Sequence, residues 1–236
     1  MKGAALKNSI EMKSVKKIFK TSYGMVEALK GVDMTASAED FYIILGKSGC
    51  GKSTLLNIMG FMDEMTAGEY YFDGVNTAEM SSSQKANLRG EKIGFVFQSY
   101  NLIHSMTAVE NIELPLGYRG MDKKSRREKA LHLLETMGIA NRAYHLPTGM
   151  SGGEQQRVAI ARAIAGDPLV ILADEPTGNL DEKSASEIME LLKKLHENGT
   201  CVIMVTHDKD MLQYATRHIT MSGGLIVETA ECRESS

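Results

Sequence analysis

Two glycine-rich turns in this chain have the residue types to hold an anion. The first, GKSGCGKST over 46–54, fits G-x-x-x-x-G-K-[ST] at Gly46, Gly51, Lys52 and Ser53. Glycines let successive backbone N–H groups turn toward one anion, and a helix opening at Lys52 adds the positive end of its dipole. In such a cradle Lys52 reaches the β- and γ-phosphates of a nucleotide, and the Ser53 hydroxyl can ligate Mg2+. A bare glycine turn is common. The buried-strand pattern before this one and the helix pattern after it set it apart. The second turn, Ser151, Gly152 and Gly153, also stands before a helix pattern. One nucleotide needs one cradle, so the second turn needs a different explanation.

Three apolar runs end in a polar group: IGFVF in Gln98, LVILA in Asp174 and Glu175, CVIMVT in His207. Open α/β sheets bind their ligands at the carboxyl ends of the strands. An acid there can hold Mg2+, which prefers oxygen ligands and keeps its own waters. The adjacent acid can orient or deprotonate a water that attacks a γ-phosphate. Adjacent acids also open ordinary helices, and a lone histidine at a strand end is more often structural. The company of the first cradle favours the chemical reading for all three. The other histidines, 104, 132, 145, 196 and 218, have no such setting.

The elements that must carry these groups follow from periodicity. Residues 8–45 read as short strands: SIEMKSVKKIF alternates weakly, EALKGVDMTA is broken by a turn, and FYIIL is a buried strand. GEYYFDG and KIGFVFQ are further strands. DKKSRREKALHLLETMG has helical spacing, and its basic run is most simply a solvated helix face. Residues 155–166 form a helix that Gly166-Asp167-Pro168 ends. Ala185, Ile188, Met189, Leu192 and Leu195 line one side of another, stopping at Asn198-Gly199. HITMSGGLIVET reads as a closing hairpin about Gly223-Gly224. Apolar strands alternating with helices argue for a mostly parallel sheet covered on both faces. The early strands add an antiparallel lobe, and residues 99–158 a helical one.

Bulk properties narrow the class. The chain has 236 residues, 43% apolar and 24% charged, enough for one domain with sub-lobes. A net charge of −3 gives no electrostatic footprint for nucleic acid. Cys50, Cys201 and Cys232 are odd in number and widely spaced, which suits a reducing cytosol better than a disulfide framework or a zinc site. Cys50 reads as a small residue within the loop, open to oxidants if exposed. The 16 methionines fall mostly within apolar patterns, as core gap-fillers do. No apolar run is long enough to span a bilayer, and the first residues do not read as a signal peptide.

In order along the chain these residues resemble one family, the nucleotide-binding subunits of ABC transporters. The set is Walker A GKSGCGKST (46–54), Q-loop Gln98, signature MSGGEQQR (150–157), Walker B LVILADE (169–175), D-loop NLD (179–181) and switch TH (206–207). The resemblance implies an α/β P-loop NTPase fold. A RecA-like core would join an antiparallel β-subdomain and a helical signature subdomain in a single domain over 1–236. Residues 8–98 and 159–236 would form the β-subdomain and core, and 99–158 the helical lobe. It implies an Mg2+-dependent ATPase. Gly46, Lys47, Ser48, Gly49, Cys50, Gly51, Lys52, Ser53 and Thr54 would cradle ATP. Ser53, Asp174 and Gln98 would serve Mg2+. Glu175 would be the catalytic base, and His207 the γ-phosphate switch. Gln98 would also reach the attacking water and relay to the partner. Ser151, Gly152, Gly153 and Glu154 would act in trans on a neighbour's ATP, and Asp181 would address that neighbour. An aromatic upstream of Walker A usually stacks on adenine. Phe19 in KKIFK fits, with Tyr23 as rival.

Departures are mild: Met150 stands for the usual Leu, Glu154 for Gln, and Asn179 for a small Ser in the D-loop. IGFVFQSYNLIHSMTAVENIELPL and LADEPTGNLD are similar to the lipoprotein-release and macrolide-export (MacB-like) group. That resemblance implies a homodimeric motor at the cytoplasmic face of the membrane. It would be held there by a permease on a separate chain, which docks near residues 99–106 and the helical lobe. No regulatory tail is expected. The cargo would be peptide, lipoprotein or drug-like. The same ATPase would equally serve a permease that transmits force without transport. Soluble ABC ATPases of ribosomes or DNA form a rival class. Those carry two such domains or a long coiled coil between Walker A and the signature, and this chain has neither. A module that binds without hydrolysis would not need Glu175.

Overall fold

A computed structural model of the protein describes residues 10–22 and 24–232. Phe41 to Leu45 are apolar without alternation, and a strand of that kind needs cover on both faces. They form β3 (Phe41–Gly46), inside a sheet with β6 (Ile93–Phe97), β7 (Val170–Asp174), β8 (Cys201–Thr206), β9 (Arg217–Ser222) and β10 (Leu225–Glu231). The order is β10–β9–β3–β8–β7–β6. Every pairing is parallel except β9 with β10. Gly223 and Gly224 close that hairpin with φ of 55° and 84°, the left-handed pair that a two-residue turn requires.

The strand pleat sorts the apolar residues into two cores. Phe41, Ile43, Ile171, Ala173, Val202 and Met204 face one side. There they meet α3 (Ala108–Tyr118), α4 (Lys123–Thr136), α5 (Gly152–Ile164) and α6 (Glu182–Glu197). Tyr42, Ile44, Leu172, Ile203 and Val205 face the other. That side is covered by α1 (Lys52–Met59) and by the antiparallel sheet. The second sheet contains β1 (Ile10–Thr21), β2 (Gly24–Ala36), β4 (Ala67–Phe72) and β5 (Val75–Asn76), in the order β2–β1–β4–β5. Each fully buried aliphatic side chain stabilises the fold by about 1.5–3 kcal/mol. Met12, Met34, Met59, Met189, Met204 and Met221 are among the buried residues, in line with a gap-filling role.

Three local readings change. The turn expected inside EALKGVDMTA is absent, and β2 runs straight through it. Gly31 takes φ of 108°, and the register skips it between Val15↔Val32 and Lys16↔Lys30, so it is a bulge. Residues 8 and 9 of the strand region expected over 8–45 lie outside the described residues. The helix expected at 155–166 begins at Gly152, because Ser151 caps it. Helices α2 (Ser82–Lys92) and α3 were not among the expected helices, although Val109, Ile112 and Leu116 stand at helical spacing on the buried face of α3. Helix α2 buries no residue and starts at a Ser81–Gln84 capping box, while α3 starts at a Thr107–Glu110 box and carries Pro115 inside. The basic run on α4 is only partly a solvated face, since Arg127 pairs with Glu113 and Lys129 with Asp167, both across to other elements.

Gly60 ends α1 against β6, and a Cβ there would stand 1.9 Å from Phe95 Cζ. The Phe95 ring stacks on Phe97 at 5.5 Å, so it cannot retreat freely. Gly60→Ala is expected to cost about 1–3 kcal/mol through overpacking. Urea denaturation checks this, and Gly60→Ala with Phe95→Leu should recover part of the loss.

Candidate functional site

The 46–54 loop is built by close approach. A Cβ on Gly46 would meet Cys50 Sγ at 2.5 Å and Met221 O at 2.7 Å. Gly51 has φ of 106°, and a Cβ there would meet Ala28 O at 2.6 Å. The β9–β10 turn braces the loop from the side: Gly224 N–H donates to Cys50 O, and Lys30 N–H donates to Gly224 O. Cys50 is therefore buried, and its thiol is packing rather than an exposed target. Lys47, Ser48 and Gly49 are exposed at the tip, Ser53 is exposed beside them, and Thr54 is half-buried. Lys52 is buried and folds back on its own loop, donating to Gly46 O at 2.7 Å and Lys47 O at 3.2 Å.

The strand ends converge on this lysine. Glu175 Oε1 lies 3.9 Å from Lys52 Nζ, and His207 Nδ1 donates to Glu175 Oε2 at 2.9 Å. Glu175 takes φ of 45°, a strained value for a non-glycine residue, and its N–H donates to Val205 O on β8. Ser53 Oγ donates to Asp174 Oδ1 at 3.3 Å. The Asp174 carboxyl is held above its usual range by desolvation, with repulsion from Glu175 adding and the Ser53 hydroxyl and Lys52 opposing. Lys52, Ser53, Asp174, Glu175 and His207 thus form one constellation.

Gln98 is held elsewhere. Its Nε2 donates to Asn179 Oδ1 at 3.1 Å, and Asn179 Nδ2 donates to Gln98 O at 3.0 Å. Asp181 caps α6, accepting from Ser184 N–H and Ser184 Oγ, bonds that lower its carboxyl below the usual range. At the second glycine turn Ser151 caps α5 in a box with Glu154: Ser151 Oγ accepts from Glu154 N–H, and Glu154 Oε2 accepts from Ser151 N–H. Glu154 also pairs with Arg142 at 2.7 Å. No hydrogen bond joins residues 151–154 to residues 46–54 among the described residues. Phe19 is 38% exposed on β1, with the Lys17 ammonium 4.8 Å over its ring. It pairs with Val26, two residues before Ala28, whose carbonyl abuts Gly51. Tyr23 lies outside the described residues.

Sequence reasoning did not find the supports. Arg162 donates to Tyr100 O and Asn101 O, both residues in the left-handed region. The Tyr100 hydroxyl would lie 2.8 Å from a Cβ on Gly152. Buried Gln156 donates to Pro176 O. No local signal marks these residues, because their partners are remote in sequence.

A parallel sheet with a glycine cradle at one strand end and an acid pair at another defines a P-loop nucleoside triphosphatase. The family model described as "ABC transporter" matches residues 29–178. An uncharacterized ABC transporter ATP-binding protein of Thermotoga maritima is 47% identical over 221 residues, covering 94% of each chain. A macrolide export ATP-binding/permease protein MacB of Aggregatibacter actinomycetemcomitans is 44% identical, over 96% of this chain but 35% of its own length. A dimeric post-hydrolysis structure of the ATP-binding cassette MJ0796 bound to ADP and Pi superposes with a TM-score of 0.88, at 42% identity over 95% of this chain and 99% of that one. The protein therefore belongs to the ABC transporter family, as its ATP-hydrolysing nucleotide-binding component. No helix among the described residues is long and apolar enough to cross a membrane.

The raised Asp174 carboxyl has a stability consequence. The fold favours its protonated form, so stability falls as pH rises from the ordinary carboxylate range through the native value. Asp174→Asn should raise the melting temperature of nucleotide-free protein at neutral pH, and the gain should vanish at acid pH. A difference independent of pH overturns this account.

Proposed function

We propose that two copies of this chain close on two ATP molecules and that closure drives a membrane permease for export. The observation that carries the proposal is the second glycine turn. It offers the N-terminus of α5 with Ser151 exposed, and among the described residues it makes no hydrogen bond to the 46–54 cradle. Such a turn has a use if it meets the γ-phosphate held by another chain. The dimeric MJ0796 cassette supports that reading. ATP then bridges the chains and favours the closed state, and hydrolysis releases it.

Within one site, Lys52 would exchange its loop carbonyls for phosphate oxygens. Ser53 and Asp174 would hold Mg2+, and Gln98 would complete the set. The fit is good because the donors are hard oxygens and Mg2+ takes few protein ligands beside phosphate and water. When bound, Mg2+ neutralises charge on the β- and γ-phosphates. Glu175 would take the proton of the attacking water, with its carboxylate aligned by the strained backbone and by His207. His207 would sense the γ-phosphate, and Asp181 and Glu154 would border the neighbour. Phe19 would stack on adenine.

The relatives named for macrolide export favour an export permease, so the chain would sit peripherally at the cytoplasmic face, and the cargo would be peptide, lipoprotein or drug-like. A force-transmitting permease without transport is the alternative. Affinity purification from native membranes, with ATP trapping the closed dimer, identifies the permease and decides between them.

Two substitutions test the motor. Glu175→Gln should lower kcat by at least ~10²–10³, the scale for losing one well-placed group at a transition state, while ATP–Mg2+ now traps a dimer on gel filtration. Normal hydrolysis by this variant overturns the assigned base. Ser151→Arg should bind ATP normally yet form no ATP-dependent dimer, and a dimer at undiminished yield overturns the role in trans.

A further inference from the structure

The side-chain amide of Gln98 has two ends of opposite chemistry. Nε2 only donates, and Oε1 alone can ligate a cation or accept from water. Which end is left free decides whether Gln98 can serve Mg2+ at all. The surrounding bonds set that orientation. The backbone carbonyl of Gln98 can only accept, and Asn179 Nδ2 donates to it at 3.0 Å. Asn179 must therefore turn its nitrogen toward the carbonyl, which leaves its Oδ1 for Gln98. That oxygen accepts from Gln98 Nε2 at 3.1 Å. An unambiguous backbone acceptor thus orients one amide, and that amide orients the next, leaving Oε1 of Gln98 clear of Asn179.

The chain on either side of that carbonyl is held. Tyr100 N–H donates to Phe97 O, and Arg162 grips the next turn through Tyr100 O at 2.9 Å and Asn101 O at 2.6 Å. Gly178 keeps the approach open, since a Cβ there would stand 2.7 Å from Gln98 Nε2. Asn179 lies two residues before the helix cap Asp181, so displacement of this loop carries the Gln98 amide with it.

We propose that Asn179 is a positioning residue: clamped on the Gln98 carbonyl, it turns the Gln98 amide so that Oε1 is the end available to Mg2+ and its water. This rests on the reading of Gln98 as a group serving Mg2+. A second chain docking against the 179–181 loop would then adjust Gln98 through Asn179, so metal handling responds to the partner's arrival.

The test uses the full chain with Asn179→Ala, Gln98→Ala and the double variant. Mn2+ serves as a spectroscopically visible stand-in for Mg2+, titrated by electron paramagnetic resonance with a non-hydrolysable ATP analogue present. Asn179→Ala should weaken Mn2+ binding about tenfold, the lower end for losing a partner that orients a metal ligand. Analogue binding without divalent cation should be unchanged. In the Gln98→Ala background, Asn179→Ala should add nothing further. Asn179→Leu, which keeps side-chain bulk without either hydrogen-bonding group, should reproduce the Ala result with an unaltered melting temperature. The Gln98 side-chain ¹⁵N resonance of nucleotide-free protein should move in Asn179→Ala. An equal loss of Mn2+ binding with and without Gln98 overturns the proposal, as does unchanged binding in Asn179→Ala while Gln98→Ala weakens it. If Gln98→Ala leaves Mn2+ binding intact, the reading of Gln98 fails and takes this proposal with it, while the resonance shift reports the clamp separately.

Discussion

A buried ammonium group organises the site. Lys52 is 5% exposed, and a charge in that position is costly unless hydrogen-bonded and paired. Its nearest acceptors are the carbonyls of its own loop, at Gly46 and Lys47, and its nearest anion is Glu175. Satisfying it from those sources requires the end of β7 to stand close to the end of β3, with β8 between them. Glu175 reaches across by adopting a strained backbone, secured through its N–H to Val205 O, and His207 at the end of β8 steadies the carboxylate. In the proposed function a phosphate in the loop would draw Lys52 off these neutral carbonyls, since a charged acceptor makes the stronger hydrogen bond.

The two glycine turns share residue types and differ in support. The 46–54 loop is wedged between the β9–β10 turn and β2, with Gly46, Gly51 and Gly224 each touching backbone that a side chain would push away. Such packing preorganises backbone donors before any anion binds. The turn before α5 is braced from behind, through Glu154 to Arg142 and through Tyr100 and Ser184 against Gly152 and Gly153, while Ser151 remains exposed. One turn is a socket inside the fold. The other is a helix end presented from it.

Much of this was legible in residue order. The pleat of β3, β7 and β8 was written as uninterrupted apolar runs, and the polar groups at their ends were the ones the fold gathers around Lys52. Local reading failed where a residue's conformation depends on a partner strand. Gly31 looked like a turn and is a bulge, because β1 pairs along both sides of it. Helix α2 has no fully buried residue and only Leu88 packed half-buried against the core, so its one signal is the capping residues.

The amino-acid sequence alone determined the cradle, the acid pair, the strand-end histidine and the second turn, because each depends on residue types within a few positions and on the strand or helix they border. Tertiary structure decided which of these touch. Ser53 meets Asp174 across 121 positions, and Gln98 meets Asn179 across 81. Those distances are set by sheet order and by loops that hydrogen bonds from remote residues hold in place. No pattern of neighbouring residues encodes that Gln98 turns toward the 179–181 loop, since its amide donates to Asn179 Oδ1, and Asn179 is itself oriented by donating to the Gln98 backbone carbonyl.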